Sequence, residues 1–272
     1  MKVHVVCPEA QDAGEYMTLP TFTTLGTGHT VLMLHGIAAT HLAFAPQVES
    51  LAVAGYRAVA WDMPGYGVSP PIEPYTFKGL AERCIALIQA LQCGGVTLLG
   101  HDMGGMVAQE VVARRPELVQ RLVLCGTSPS SSDFASPPLA DPAQPLQAGQ
   151  TMGELAEWLV PQMIGPASLP EGVRLAQHSM GQVHPSTFRR ALEALPSFDR
   201  AACLGDIHVP TLLVAGEQDR QAPPQVMKAM SQRIASSTYY EMRGVGHLQN
   251  LEAPDDFDAA LLNFLSLPRL LH

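Results

Sequence analysis

The sequence lacks a basic stretch of any length. It contains 16 lysine and arginine residues against 25 aspartate and glutamate residues, which gives a formal net charge of −9 at pH 7. Nucleic-acid-binding proteins concentrate lysine and arginine in one segment or on one face, so this balance argues against nucleic acid as a partner. Charged residues make up only 15% of the chain and hydrophobic residues 47%. Such a composition excludes a disordered protein and supplies enough apolar surface for a sizeable core.

Cysteine is also scarce, and its number is odd. The five cysteines are Cys7, Cys84, Cys93, Cys125 and Cys203. Because no two of them form a C-x-x-C pair, the pattern favours reduced, buried thiols over a disulfide framework. The histidines lack the H-x-H and H-x-x-x-H spacings of metal sites, and the glycines lack P-loop and dinucleotide spacing. We therefore predict neither a metal ion nor an organic cofactor.

Long hydrophobic runs are missing as well. No segment approaches the roughly 18 consecutive apolar residues that a membrane-spanning helix requires. The stretch from Met1 to Glu9 becomes polar too soon to serve as a signal peptide. These features predict a cytoplasmic protein that has no membrane partner. The sequence leaves the oligomeric state open.

Apolar segments that alternate with amphipathic ones dominate the first half of the chain. Strands are predicted at residues 2–6, 16–25, 31–34, 57–61, 96–99 and 122–125, with helices at 44–54, 77–92 and 103–114. This alternation is typical of an α/β protein with a doubly wound, mostly parallel sheet. The same alternation resumes near the end of the chain, with strands at 210–215 and 238–242 and helices at 223–234 and 254–267.

The composition changes at about residue 128. Residues 128–150 are rich in serine, proline, alanine and aspartate, which predicts a loop. Helices are then predicted at 151–164, 171–182 and 185–195 with no strand between them. The simplest organisation is an α/β core of residues 1–127 and 207–272 that carries an inserted helical cap of residues 128–206.

The segment Leu98–Gly105 contains the pattern G-x-Asp-x-G between a predicted strand and a predicted helix. Small residues at both ends allow a sharp turn that lifts the central side chain above the sheet edge. Asp102 therefore lies at a helix N-terminus, where an anion is favoured. A plain helix cap is the structural alternative for this aspartate. The turn context favours a catalytic role.

Two further residues follow predicted strands in the order acid, then histidine. Asp219 lies in Gly216-Glu217-Gln218-Asp219-Arg220, and His247 lies in Gly244-Val245-Gly246-His247-Leu248. Because the carboxyl ends of parallel strands meet at one edge of the sheet, we expect both side chains to approach Asp102. Asp133 is the alternative acid, although it lies well into the loop after its strand.

The chain resembles the α/β-hydrolase family over nearly its whole length. The motifs that carry this resemblance, in chain order, are H-G at 35–36, D-M-P-G-Y-G at 62–67, the elbow at 100–104, G-E-Q-D-R at 216–220 and G-V-G-H-L at 244–248. The tail from Gly246 to Pro254 is most similar to 3-oxoadipate enol-lactonases and related esterases. Asp102 instead resembles the nucleophile of epoxide hydrolases and dehalogenases, because most such elbows carry serine.

The resemblance implies a role for each residue. Asp102 stands at the nucleophile position, His247 is the base, and Asp219 orients the imidazole. The backbone N–H groups of Ile37 and Met103 are expected to form an oxyanion hole. The cap is expected to shape the substrate pocket. His41 and Trp158 are the candidate pocket-lining residues.

Aspartate at the elbow leaves three interpretations of the chemistry open. A carboxylate can attack a saturated carbon and form an alkyl ester, as in an epoxide hydrolase or a dehalogenase. On an ester- or lactone-type scaffold it would be a general base or a replacement of the usual serine, because its attack on a carbonyl gives an unfavourable mixed anhydride. A non-catalytic ligand-binding protein is the third interpretation.

The residues that usually accompany an elbow aspartate are absent. None of the six tyrosines lies between residues 128 and 206, where epoxide hydrolases of the family carry their proton donors. The positions that hold tryptophan or arginine in dehalogenases hold Met103 and Met106 here. The basic residues of the predicted cap are candidates for binding a carboxylate substrate, although a solvated helix face explains them equally simply. They are Arg174, His178, His184, Arg189 and Arg190.

Overall fold

The computed structural model describes residues 18–133 and 150–268. The strands of these ranges are β1 Phe22–Leu25, β2 Thr30–Leu34, β3 Arg57–Trp61, β4 Val96–His101, β5 Val119–Cys125, β6 Thr211–Gly216 and β7 Ser237–Met242. They form a seven-stranded sheet in the order β1-β3-β2-β4-β5-β6-β7. Only β1 is antiparallel to its neighbour, and every other pair is parallel. The predicted α/β fold with a mostly parallel sheet is confirmed.

The α-helices of the described residues fall between these strands. They are α1 Ala45–Val53, α2 Phe77–Ala90, α3 Met103–Arg114, α4 Met152–Met163, α5 Pro170–Gly181, α6 Pro185–Ala194, α7 Pro224–Arg233, α8 Gln249–Glu252 and α9 Pro254–Ser266. None of them combines the length and the hydropathy that crossing a bilayer requires.

The helices cover both faces of the sheet. Along β2, Leu32 and Leu34 pack into one hydrophobic cluster, whereas Val31 and Met33 pack into another. This alternation follows from the two-residue period of a strand, so both faces of β2 must be apolar. The first cluster includes residues of α2 and α3, and the second includes residues of α1 and α9. Burying each such side chain contributes about 1.5–3 kcal/mol.

The edge strand is shorter than the sequence predicts. The structure assigns β1 to Phe22–Leu25, whereas the apolar pattern predicts a strand over 16–25. Pro20 has no N–H to donate, which prevents regular pairing just before this strand. The antiparallel edge position of β1 is as predicted. The strand predicted at 2–6 lies outside the described residues, and so do residues 16 and 17 of the predicted edge strand and residues 134–149 of the predicted cap.

Among the described residues, the helices α4 to α6 lie between β5 and β6, and their predicted positions are confirmed to within one residue. We call them the inserted helices. Thr151 and Glu154 form a reciprocal capping box that begins α4. The inserted helices contact the sheet edge directly: the Thr40 N–H donates to Oγ of Ser179 at 2.9 Å, and the His247 N–H donates to the Met163 carbonyl at 2.7 Å. They are therefore positioned to cover the carboxyl ends of the strands.

Candidate active site

Asp102 stands between β4 and α3 in a strained conformation. Its φ of 52° and ψ of −122° lie in a region that costs a non-glycine residue about 1–3 kcal/mol. Both flanking positions require glycine because any side chain there would clash with the backbone. A Cβ on Gly100 would come within 2.4 Å of the Gly104 carbonyl oxygen, and a Cβ on Gly104 within 2.1 Å of the Leu34 carbonyl oxygen. The predicted elbow is thus a tight turn that holds its central side chain in one place.

The carboxylate of Asp102 accepts one of the two N–H groups that are predicted to form an oxyanion hole. The Ile37 N–H donates to its Oδ2 at 2.8 Å, and Asp102 is only 4% exposed. Gly36 packs so closely that an added Cβ would lie 2.6 Å from the same oxygen. Met103, the second predicted donor residue, begins α3 immediately after the elbow. The turn is anchored from behind by Thr127, whose hydroxyl donates to the Asp102 carbonyl at 2.7 Å.

Asp219 and His247 meet as the sequence predicts. Nδ1 of His247 lies 2.9 Å from Oδ2 of Asp219. The carboxylate also accepts the N–H groups of Gln221 and Ala222 at 2.8 and 3.0 Å, and Nε2 of Gln249 at 3.2 Å. Because these donors fix its position, Asp219 can orient the imidazole and stabilise its charge. Asp133, the alternative acid, lies instead in the short helix Ser131–Asp133 after β5.

The imidazole of His247 lies between two carboxylates. Its Nε2 is 4.0 Å from Oδ1 of Asp102, on the side opposite Asp219. Burial lowers the pKa of His247, but the negative charges of Asp219 and Asp102 outweigh it and raise the pKa to about 8. His101 behaves differently. Burial and the neighbouring charge of His247 lower the pKa of His101 to about 4, so it is neutral at physiological pH.

Glu252 holds the loop that carries His247. Its Oε2 accepts the N–H of Gly246 at 2.8 Å and its Oε1 accepts the N–H of Leu248 at 2.8 Å. Oε2 also accepts the N–H of Gly165 at 2.7 Å and the hydroxyl of Ser168 at 2.6 Å, both between α4 and α5. This buried carboxylate therefore joins the histidine loop to the inserted helices. Nothing in the sequence pattern singles it out.

A cavity of about 30 Å³ opens beside Asp102 and His247. This is space for roughly one or two water molecules. Its remaining walls are mostly apolar and come from the loop after β2, from α4 and α5, and from the segment around α8. The lining residues are Gly36, Ile37, Ala38, Ala39, Ala43, His101, Val160, Met163, Ala176, Ser179, Met180, Gln221, Leu248, Asn250 and Leu251. The reacting atoms would thus meet in a water-poor, largely hydrophobic space.

The two candidate pocket-lining residues lie elsewhere. Nδ1 of His41 is 2.9 Å from Oδ2 of Asp62, so this histidine supports the turn after β3. Trp158 is 51% exposed on α4, on the face turned away from the buried Leu159 and Val160. The helical spacing of the sequence does not distinguish the buried face of α4 from its exposed face. Neither side chain contributes to the cavity wall.

The basic residues of the inserted helices also lie away from the cavity wall. Arg174 pairs with Glu171 at 2.9 Å, and Arg190 approaches Glu73 at 3.5 Å. No tyrosine is among the described residues that line the cavity. Tyr66 is close by, but its hydroxyl donates to the Ile37 carbonyl at 2.8 Å. It therefore supports the loop after β2 from the far side.

Three polar cavity residues are absent from the sequence-based prediction. Ser179 of α5 bonds to the N–H of Thr40, and Nδ2 of Asn250 donates to the Ala43 carbonyl at 2.7 Å. Gln221 is 5% exposed, and its Oε1 is buried without a hydrogen-bond partner among the described residues. Its place two residues after the acid is the one signal that could have pointed to it.

Comparisons with known proteins match most of this chain. The model of the Alpha/beta hydrolase family matches residues 31–260. A 2-hydroxy-6-oxononadienedioate/2-hydroxy-6-oxononatrienedioate hydrolase from Klebsiella pneumoniae is 32% identical over 250 residues, which cover 87% of this chain and 87% of that protein.

Solved structures give the same result for the fold. A thermophilic esterase from Thermogutta terrifontis superposes with a TM-score of 0.81 at 25% identity, covering 90% of this chain and 92% of the esterase. The enol-lactonase from Burkholderia xenovorans superposes with a TM-score of 0.79 at 22% identity, covering 90% and 96% of the two chains. At that identity the second similarity concerns the fold alone.

Proposed function

Because the chain belongs to the alpha/beta hydrolase family, we propose that it is a cofactor-independent hydrolase of a small, largely apolar substrate. Asp102, Asp219 and His247 form its reaction centre. The observation that carries the proposal is the division of labour between the two oxygens of Asp102. Oδ2 is bonded to the Ile37 N–H at 2.8 Å, while Oδ1 lies on the side of His247.

In the first step Asp102 acts as a nucleophile at a saturated carbon. Oδ1 forms a bond to this carbon, and the electron pair of the breaking bond departs with the leaving group. The product is an alkyl ester of Asp102 whose carbonyl oxygen is Oδ2. A carboxylate needs no base for this step, unlike a serine hydroxyl. The Ile37 N–H holds Oδ2 so that Oδ1 alone is presented to the substrate.

In the second step His247 activates water. Neutral Nε2 takes a proton from a water molecule, and the water oxygen bonds to the carboxyl carbon of the ester. Negative charge then develops on Oδ2, where the Ile37 N–H stabilises it. The bond from the carboxyl carbon to Oδ1 breaks, and the alcohol leaves with Oδ1 and a proton from His247. The water oxygen takes the place of Oδ1, which restores the carboxylate of Asp102. Asp219 stabilises the imidazolium that exists between the two proton transfers.

The leaving group distinguishes the two reactions at a saturated carbon. An epoxide oxygen needs a proton as it leaves, and the described cavity wall holds no tyrosine to donate one. A halide needs no proton. Within the proposal, cleavage of a carbon–halogen bond therefore ranks ahead of epoxide opening.

Ester or lactone hydrolysis is the second candidate. The similarity to an esterase at 25% identity supports it. In this case Asp102 would be a general base for water or a replacement of serine, because its Oδ2 already occupies the Ile37 N–H that a substrate oxyanion would need. A non-catalytic ligand-binding homologue is the third candidate. The retained contact between Asp219 and His247 argues against it, since binding alone needs no oriented base.

A single-turnover experiment in water labelled with heavy oxygen tests the first candidate. The enzyme, in excess, is mixed with n-butyl bromide, styrene oxide or p-nitrophenyl acetate. If Asp102 attacks carbon, the first alcohol formed carries unlabelled oxygen from the enzyme, and the label enters Asp102. In the His247→Gln variant the alkyl ester should accumulate and be visible by intact mass, whereas the exposed His208→Gln control should turn over normally.

The other outcomes separate the alternatives. A labelled product in the first turnover, with no adduct in His247→Gln, would indicate that Asp102 acts as a general base and not as a nucleophile. Turnover of p-nitrophenyl acetate alone would favour the ester or lactone candidate. An absence of both turnover and adduct with all three probes would contradict the enzymatic proposal and favour a binding protein.

A further inference from the structure

A groove of about 520 Å³ lies next to the catalytic cavity. Its lining comes from the end of α4, from the segment after it, and from the loop after β6. The lining residues are Leu159, Pro161, Gln162, Met163, Ile164, Gly165, Pro166, Gln218, Arg220 and Gln221. Two of them, Met163 and Gln221, also line the cavity that holds Asp102 and His247. The two spaces therefore adjoin at Met163 and Gln221, and we call this point the passage.

The sizes of the cavity and the groove indicate that one substrate occupies both. The catalytic cavity offers about 30 Å³, far less than the roughly 300–1,000 Å³ of typical ligand pockets, whereas the groove offers about 520 Å³. Met163 has an unbranched, flexible side chain that can move aside at little cost. The groove is therefore an adjacent space large enough for the rest of a substrate whose reactive carbon lies at Asp102.

Gln221 marks the passage between the two spaces. Its backbone is held by Asp219, whose Oδ1 accepts the Gln221 N–H at 2.8 Å. Its side-chain oxygen is buried and lacks a hydrogen-bond partner among the described residues. Leaving such a carbonyl unpaired costs about 1–3 kcal/mol. The passage is therefore a place where a water molecule or a polar group of a bound ligand is stabilised.

The lining of the groove combines apolar side chains with the positively charged Arg220. Leu159, Met163 and Ile164 contribute hydrocarbon surface, and Arg220 lines the same groove. Arg220 is exposed, and no carboxylate of the described residues lies within ion-pair distance of it. In a chain with a net charge of −9, a cation without such a partner beside the reaction centre is an attractive contact for an anionic ligand.

We propose that this groove is the outer part of the substrate site and that it binds an apolar chain ending in a carboxylate, which pairs with Arg220. The inference rests on the proposed function for the position of the reactive carbon. It goes beyond that function because it names the substrate class: a carboxylic acid whose reactive carbon is distant from the acid group. The apolar wall holds the chain, and Met163 and Gln221 form the passage.

The test measures binding without turnover, so it remains readable even if the proposed reaction is wrong. Dissociation constants are measured by titration calorimetry for butanoate, hexanoate and octanoate and for the alcohols of the same chain lengths. An exposed ion pair contributes up to about 1 kcal/mol, so the best acid should bind about fivefold more tightly than its alcohol. The preference should shrink as salt is added.

Two charge-matched controls locate the effect. Arg220→Gln should abolish the preference for the acid, whereas Arg233→Gln at the end of α7 and Arg174→Gln on α5 should retain it. Equal binding of acids and alcohols by the wild type would overturn the proposal. A preference that survives Arg220→Gln, or that disappears in Arg174→Gln instead, would also overturn it.

Discussion

The backbone N–H of Ile37 donates to Oδ2 of Asp102 at 2.8 Å. In a serine hydrolase this donor position serves the oxyanion of the substrate, whereas here it is taken by the nucleophile candidate itself. The same contact explains how an aspartate fits an elbow that usually holds the smaller serine, because the Ile37 N–H forms a hydrogen bond with one of its two carboxylate oxygens. It also leaves Oδ1 as the one carboxylate oxygen on the side of His247.

Replacing Asp102 by serine should exchange one activity for another. The variant frees the Ile37 N–H and places a hydroxyl near Nε2 of His247. We expect turnover at saturated carbon to fall by about 10⁴-fold or more, as for loss of a nucleophile. Hydrolysis of p-nitrophenyl acetate should rise by about 100-fold, because a donor for the oxyanion becomes available.

Initial rates with n-butyl bromide and p-nitrophenyl acetate check this exchange. Asp102→Ala is the matched control, since it frees the same donor without supplying a nucleophile. If the alanine and serine variants hydrolyse the ester equally, the elbow is not a position from which a serine can attack.

Removing the charge of Asp102 should lower the pKa of His247. Nε2 of His247 lies 4.0 Å from the Asp102 carboxylate, whose charge is one of the causes that raise this pKa to about 8. A step that requires neutral His247 should therefore accelerate as the pH rises through about 8. In Asp102→Asn the midpoint should move to lower pH. Nitrogen NMR of the labelled imidazole measures both midpoints directly, and Asp62→Asn, which changes a carboxylate bonded to His41, should leave the His247 midpoint in place.

The same histidine should make stability depend on pH. Its pKa in the folded chain, about 8, lies above the ordinary value of 6.5. The resulting stabilisation is complete below pH 6.5 and is lost as the pH rises through 8, and it amounts to about 2 kcal/mol. The pKa of His101, at about 4, lies below 6.5. Stability should therefore also fall as the pH drops from 6.5 toward 4.

Urea denaturation at intervals from pH 4 to pH 9 measures the loss of stability expected at both low and high pH. In His247→Gln the decline between pH 6.5 and 8 should flatten, while His208→Gln should keep the wild-type profile. A decline of unchanged slope in His247→Gln would assign it to other groups.

The sheet and its helices follow from local patterns. The run Val31 to Leu34 and the amphipathic spacing of Phe77–Ala90 each predict an element that the structure contains. The convergence of Asp102, Asp219 and His247 follows from topology, because parallel strands deliver their carboxyl ends to one edge. These features depend on short segments or on chain order, which a sequence displays directly.

Other features arise from contacts between distant segments. Glu252 bonds to Gly165, which lies 87 positions earlier, and no local pattern records that pairing. His41 and Trp158 were expected at the pocket because of their place in the chain, but one packs against Asp62 and the other faces outward. Which face of α4 is buried, and which polar group His41 contacts, depend on how distant segments pack together.

Glu252→Gln should loosen the histidine loop and destabilise the protein. The carboxylate accepts four donors, including the N–H groups of Gly246 and Leu248. A glutamine amide would turn an NH₂ group toward some of these donors. Hydrogen bonds to a charged group are worth about 1.5–3 kcal/mol each, so we expect a loss of about 2–3 kcal/mol in unfolding free energy. Urea denaturation measures it, with the exposed Glu171→Gln as the control, and a loss below that of the control would contradict the assigned role.

Gly36→Ala should test directly whether the position of the Asp102 carboxylate matters for catalysis. An added Cβ would lie 2.6 Å from Oδ2 and 2.8 Å from Cβ of Asp102, so the side chain must move and its bond to the Ile37 N–H must break. Loss of one such donor typically costs 10²–10³-fold in kcat, and we expect a decrease of about that size. Gly205→Ala is the matched control, because a Cβ there meets nothing within 4 Å. Circular dichroism should give similar spectra for both variants, since the clash involves a side chain. If Gly36→Ala keeps the wild-type kcat, the bond between Ile37 and Asp102 is dispensable, and the proposed division of labour between the two carboxylate oxygens is wrong.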